Sequence, residues 1–267
     1  MTKSWRKSRK LKPDFDKKNI IPYPATKFFD QLSLIGDEIV GCFVLETKIG
    51  YVLIDCMNPD ERCKEIIEQG FKDLGFDINN LYAILITHGH GDHFGNAEYF
   101  KEKYNAKIYM SKIDFEFAKN MPKHLPWKSI TFDIDYFFND REVLTFGDVE
   151  ICTVFTPGHT EGCYSFIINV TDEGRHHRVA LWGGSGILPD TNVDTYYNSL
   201  VKFSKICEEY KVDGEIATHP CLDLGLQRLD IVRNIIDGVP NPFVLGIEGY
   251  KYYEKQFYEL VKEARNR

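Results

Sequence analysis

The sequence predicts an α/β fold in which helices cover the outer faces of two packed sheets. Three observations carry that expectation. Short β-type runs and helical periodicities alternate along nearly the whole chain, no Pro/Gly/Ser-rich break divides them, and 267 residues with 43% hydrophobic content supply a buried core. Residues 32–34, 39–46 and 51–55, separated by polar or glycine-containing turns, read as an antiparallel meander. Residues 61–76 place Ile66, Ile67, Phe71 and Leu74 at helical spacing, and 81–86 form a continuous apolar run ending in Thr87, so a helix feeds a buried strand. Further helices are expected at 96–104, 112–120, 195–210, 227–236 and 250–264, and strands at 107–110, 149–155, 164–170, 179–182 and 215–218. The stretch 121–140 lacks periodicity and is rich in aromatics. Its Trp127, Phe132, Tyr136 and Phe137 are candidates for an apolar pocket wall.

Residues 1–20 read as a basic N-terminal arm, with Lys3, Arg6, Lys7, Arg9, Lys10, Lys12, Lys17 and Lys18 among few apolar side chains. A solvated arm is the plain expectation; the sharper one is that Trp5 and Phe15 anchor it beside an active-site mouth. Residues 21–267 are expected to form a single domain. The formal net charge of -7 argues against nucleic acid as a partner. No apolar h-region follows the early charges and no run reaches the roughly 18–20 residues of a membrane span, so a cytoplasmic protein without a membrane partner is expected. The seven cysteines are odd in number and lack a C-x-x-C pair, which fits reduced core thiols and no disulfides.

The chemistry is concentrated in Thr87-His88-Gly89-His90-Gly91-Asp92-His93, where three histidines and an aspartate follow a buried strand directly. With 8 His in the chain, composition alone gives H-x-H-x-D-H a chance on the order of one in a thousand or less. Imidazoles and a carboxylate this close need something positive to organise them, and neutral His with ionised Asp suits a divalent metal. His159, in Thr156-Pro157-Gly158-His159-Thr160, and His219, in Thr218-His219-Pro220, each follow an expected strand. Either alone reads more readily as a hydrogen-bonded loop histidine. Beside the cluster they make six N/O donors, more than the three or four protein ligands of one zinc, so two metals about 3.5 to 4 Å apart are the natural reading. His176, His177 and His124 are expected to be solvated loop residues, although His124 could touch substrate.

These residues resemble the metallo-β-lactamase superfamily: the H-x-H-x-D-H stretch, the T-P-G-H-T turn and a late histidine after a strand. The resemblance covers the chain from about Leu32 onwards and implies the four-layer αβ/βα sandwich with metals at the sheet edges. It implies that His88, His90 and His159 hold one zinc, and Asp92, His93 and His219 the other. The set is most similar to class B β-lactamases of subclass 3, as are the Asn241-Pro242-Phe243 turn and the long final helix. In Leu181-Trp182-Gly183-Gly184-Ser185, serine stands where glyoxalase II and many lactonases carry a metal-bridging aspartate, which is the subclass 3 pattern. Gly186, Ile187 and Leu188 depart from that subclass, since they offer no Lys or extra Ser to grip an antibiotic carboxylate. Asp55 resembles the superfamily's aspartate behind the histidine loop, and reads equally as a strand-end turn residue.

The implied activity is a dinuclear zinc hydrolase in which a metal-bound hydroxide opens a cyclic amide or ester, a β-lactam or lactone, with Asp92 orienting the nucleophile and Ser185 bonding water or substrate. A thioester or phosphodiester is the alternative substrate. A di-iron redox protein is the rival from another class, disfavoured because His90 stands where flavodiiron proteins place a glutamate; a silent binding module is the third. The substrate is a small molecule in the leading reading, and the sequence leaves the oligomeric state open.

Overall fold

The computed structural model describes residues 20–123, 125–127, 129–189, 191–234 and 238–266. Strands β1 (Pro22–Lys27), β2 (Leu32–Asp37), β3 (Gly41–Thr47) and β4 (Gly50–Ile54) form an antiparallel meander. To it β5 (Leu81–Leu85), β6 (Lys107–Met110) and β7 (Tyr136–Phe137) add in parallel, giving a sheet in the order β1-β2-β3-β4-β5-β6-β7. The second sheet is built from β8 (Glu142–Phe146), β9 (Val149–Phe155), β10 (Tyr164–Asp172), β11 (Arg175–Leu181) and β12 (Gly214–Ile216), in the order β12-β11-β10-β9-β8.

Strand periodicity explains how the two sheets pack. Side chains two apart share a face, so Phe43, Leu45, Val52, Ile54, Ala83 and Leu85 meet Phe166, Ile168, Val170, Val179 and Leu181 between the sheets. The alternate residues Val44, Leu53 and Ile84 face outward under α1 (Glu61–Asp73), α3 (Ala97–Tyr104) and α4 (Lys112–Lys119), against Ile67, Phe71, Phe100 and Ala118. On the far side Val154, Ile167 and Ala180 lie under α5 (Val193–Glu209) and α7 (Gly246–Arg265), against Tyr196, Leu200, Phe203, Phe257 and Val261. Each fully buried Leu, Ile or Phe contributes roughly 1.5–3 kcal/mol of burial, and both outer clusters are rich in them. The result is the expected αβ/βα order of layers. Two short helices, α2 (Gly91–Phe94) and α6 (Gly225–Arg233), sit at the C-terminal ends of β5 and β12.

The differences from expectation have physical reasons. Strand β1 is not among the expected strands; it contains Pro22 and Pro24 and lies at the edge of its sheet, where proline is tolerated. The expected strand 39–46 begins only at Gly41, since the Asp37 carboxylate accepts the Ile39 and Val40 amides at 2.8 and 2.9 Å and closes a turn there. Strand β8, also unforeseen, is the other sheet's edge, with Val143 exposed and Leu144 and Phe146 buried. Strand β11 starts at Arg175, four residues before the expected strand. His176 and His177 therefore sit in a strand and not in the hairpin turn: His176 is exposed, while His177 is half-buried with its Nδ1 2.7 Å from Asp213. The cysteines are free among the described residues, six buried and Cys221 half-buried. The basic arm, apart from Ile20, lies outside the described residues, as do Trp5, Phe15 and His124. Among the described residues no helix is long and apolar enough to cross a membrane.

Candidate metal centre

Five strand ends converge on one edge of the sandwich. Asp55 follows β4, the His88–His90 segment follows β5, His159 follows β9, the Gly183–Ser185 segment follows β11 and His219 follows β12. Asp92 and His93 ride on α2. The structure gathers the six expected donors into two groups, His88 with His90 and His159, and Asp92 with His93 and His219; one ligand atom per residue lies within 4.8 Å of the others in each group. Either group could hold a metal ion.

Hydrogen bonds fix which ring nitrogen faces inward, because an oxygen without a proton must be met by an N–H. The Gly186 carbonyl takes His159 Nδ1 at 2.7 Å, and the Ile39 carbonyl takes His219 Nδ1 at 2.9 Å. Asp55 takes His93 Nδ1 at 2.6 Å. Each of these three rings thus turns a bare Nε2 towards the centre. Asp55 also accepts the Thr87 amide and hydroxyl at 2.8 Å, which leaves the Thr87 oxygen to receive His88 Nδ1–H at 3.0 Å. His90 is the exception and points Nδ1 inward, 3.1 Å from His159 Nε2. Two nitrogens at that separation can both reach an ion at the Zn–N distance of about 2.0–2.1 Å. Buried His88 Nε2 and Asp92 Oδ1 have no hydrogen-bond partner among the described residues, which is costly for polar atoms unless a cation serves them. The donor set therefore fits a divalent metal.

Charge follows the same logic. Burial, then the neighbouring imidazoles, pushes His88 well below its ordinary pKa of 6.5 and His159 down to about 3; burial likewise lowers His219. In His93 burial opposes the charge, but Asp92 and Asp55 outweigh it and raise the pKa. Burial also opposes ionisation of Asp92, yet His93 and His219 hold it below the usual carboxylate range, with its Oδ2 3.6 Å from each Nε2. For the metal-free protein a pH dependence follows. Between the folded and unfolded pKa values of the three lowered histidines, the unfolded chain binds more protons at these positions, so their contribution to stability is complete above 6.5 and falls on acidification. His93 acts in the opposite sense, as do Asp114, Glu215 and Glu254, whose carboxyl pKa values burial raises to about 6, 7 and 7. The contribution of one group is read by difference: the Tm of the metal-free parent should fall further between pH 7 and pH 5 than that of metal-free His159→Gln, and an equal or smaller fall would contradict the low pKa of His159.

Other residues hold the donors in place. Asp55, fully buried, has φ 61, and Met57 has φ 59; the turn between them gives the His93 carbonyl the Cys56 amide at 2.7 Å. A non-glycine residue in this region costs roughly 1–3 kcal/mol, which persists only where surroundings over-determine it. Asp114, on α4, is the tie that sequence reasoning missed. Its carboxylate accepts the Gly89 amide at 2.7 Å, the Thr160 hydroxyl at 2.6 Å and the Gly162 amide at 2.8 Å, joining the two histidine loops. Burial raises its pKa to about 6 against those three donors. The available signal, Ser111-x-x-Asp114, reads as a helix cap, and Ser111 Oγ does accept the Asp114 amide, so the second role stayed hidden.

Of the four aromatics expected to wall a pocket, Trp127 stacks on the His90 ring at 5.1 Å and 25°. Gly91 permits this, since a Cβ there would stand 2.1 Å from the indole. Phe132 and Phe137 instead pack into the cluster under the helices, and Tyr136 packs on the core between the sheets. Gly184 is required for a similar reason: a Cβ there would meet the His159 side chain at 2.4 Å. Ser185 is half-buried in the next position and lines a groove together with Gly186, whose carbonyl holds the His159 ring.

An αβ/βα sandwich with two histidine-rich donor groups at one edge defines a class of metal-binding proteins. The chain belongs to the metallo-beta-lactamase superfamily, whose family model matches residues 35–172. It is 27% identical over 194 residues to a hydroxyacylglutathione hydrolase of Francisella philomiragia, 69% of this chain, and spans 63% of that relative's length. The structure is similar to BJP-1, a subclass B3 metallo-beta-lactamase of Bradyrhizobium japonicum, with TM-score 0.79 and 22% identity over 94% of this chain and 97% of the other. It is also similar to LRA-12, a class B3 di-zinc metallo-beta-lactamase from an Alaskan soil metagenome, with TM-score 0.73 and 20% identity over 95% and 97%. At such identities the two structures speak for the fold.

Proposed function

We propose that this chain is a dinuclear zinc hydrolase that opens a cyclic amide or ester, a β-lactam or lactone, and that residues 21–267 form its single domain. The observation that carries the reading is the pair of three-donor groups whose ring nitrogens are turned inward by fixed acceptors. His88, His90 and His159 would hold one ion, and Asp92, His93 and His219 the other. Bound there, zinc supplies Lewis acidity and makes water nucleophilic near neutral pH. The chain's own residues do the rest. Asp92, kept ionised by His93 and His219, orients a water and accepts its proton. Trp127 shields the His90 side from solvent.

Ser185 offers a neutral hydrogen bond to substrate or water. Ser185→Ala should leave metal content intact and cost up to roughly tenfold in rate, the worth of one such bond at about 0.5–1.5 kcal/mol. Loss of an ion in this variant would make Ser185 a ligand and refute the six-donor site. A second reading, thioester hydrolysis, is favoured by one observation, the likeness to a hydroxyacylglutathione hydrolase. Serine at 185, where glyoxalase II and many lactonases carry an aspartate, favours the β-lactam half of the first reading over both the lactone and the thioester. Assaying zinc-loaded protein against β-lactams, lactones, thioesters and phosphodiesters tests both; hydrolysis of none of them, with both ions bound, sinks the hydrolase reading.

A further inference from the structure

A groove of about 320 Å³ lies between two loops and the C-terminal helix α7. One lip is the segment after β11, where Gly186 and Ile187 line the groove and the Gly186 carbonyl holds the His159 ring. The opposite lip carries Leu222, whose amide donates to the His219 carbonyl at 2.9 Å. Phe257 and Leu260 of α7 complete the wall, and Glu263 stands exposed on the same helix. The groove therefore adjoins the His159 side of the centre through Ser185 and Gly186, while among the described residues none of the six donors lines it. On the other side, Trp127 covers His90. A molecule held at the centre that extends past Ser185 and Gly186 enters this groove.

Its chemistry selects the occupant. Glu263 is the one charged side chain among the described lining residues, and it repels anions. Ile187, which lines the groove, is 37% exposed, and the next residue Leu188 is 40% exposed, apolar side chains left in water with no cation beside them in the sequence 185–188. Covering such surface is favourable in proportion to the apolar area removed from water, and the volume is at the lower end of small-molecule sites. We propose that this groove binds an uncharged aliphatic chain attached to the scissile group, so that the preferred substrates are neutral and apolar and not carboxylate-bearing. The proposal deepens the hydrolase reading and rests on it.

Binding without turnover tests it. The full-length protein, zinc-loaded and metal-free, is titrated calorimetrically with neutral N-alkyl acetamides from ethyl to octyl, and with octyl sulfonate as an anion of equal chain length. Affinity should rise roughly two- to fourfold per methylene, the increment expected when a CH₂ is partly to fully buried, and octyl sulfonate to the metal-free form should bind at least about tenfold more weakly than N-octyl acetamide. Leu260→Ser should flatten the chain-length series. Glu263→Lys, an exposed change that leaves folding intact, should strengthen octyl sulfonate and leave N-ethyl acetamide unchanged. A flat series in the parent protein, or a series that Leu260→Ser does not alter, overturns the proposal. A protein that binds the chains but hydrolyses nothing in the substrate panel refutes the hydrolase reading and leaves the groove standing; one that hydrolyses with a flat series does the reverse.

Discussion

Replacing His159 by alanine is expected to empty the His88, His90, His159 group and to lower hydrolysis by roughly a hundred- to a thousandfold, while the Asp92, His93, His219 group keeps its ion. The ring's Nδ1 is held by the Gly186 carbonyl and its Nε2 faces His90 at 3.1 Å, so truncation removes one of three inward donors and leaves two. Catalytic zinc sites take three protein ligands. An ion supplies several kcal/mol of charge stabilisation in the transition state, and each 1.36 kcal/mol is tenfold in rate, which sets the expected range. Metal per chain and kcat/KM measured on the same preparation check it. His176→Ala is the control, an exposed side chain on β11 that should change neither quantity. Retention of both ions in the His159 variant, or an equal loss in the control, means the donors are wrongly assigned.

Asp55→Ala should be the most destabilising change near the centre. The carboxylate is fully buried and is the common acceptor for the Thr87 amide, the Thr87 hydroxyl and His93 Nδ1. Its removal strands buried donors, a loss of about 3–5 kcal/mol by analogy with breaking a buried pair from one side. For a domain of this size that is a Tm drop of roughly 6–20 °C. Because the acceptor sets the tautomer of His93 directly and of His88 through Thr87, metal affinity should also fall by about 10–100-fold. Differential scanning calorimetry of the metal-free variant separates the two effects. A Tm within about 2 °C of the parent would show that Asp55 is a replaceable turn residue, the other reading its position allowed.

The donors were legible because metal chemistry demands rare residue types at short spacing. His88, His90, Asp92 and His93 announced themselves within six positions, and His159 and His219 could be added because each follows a strand. The two-sheet layering was readable for a similar reason: the strand expected at 164–170 and the helical period in 250–264 both survive in β10 and α7. What stayed hidden depends on partners far away in the chain. Nothing local distinguishes Asp114 from an ordinary helix-cap acid; its role exists only once Gly89 and Gly162, 25 and 48 residues away, lie against it. Trp127 likewise looked no different from Phe132 until Gly91 made room for it. Edge strands β1 and β8 escaped because an edge is half-exposed and tolerates the prolines and polar residues that a central strand does not.

Each donor group draws on both sheets. His88 and His90 follow β5 of the first sheet and His159 follows β9 of the second, while Asp92 and His93 also follow β5 and His219 follows β12. A bound ion would therefore be a clasp across the seam of the sandwich, linking residues more than sixty positions apart much as a long-range crosslink does. Such a ligand binds only the folded chain, and by mass action a free concentration a thousandfold above its Kd adds about 4.1 kcal/mol to the folded state. Ions bound there would then join the two sheets at the edge that carries the candidate site, so that withdrawing them would loosen the architecture and silence the proposed reaction in one event.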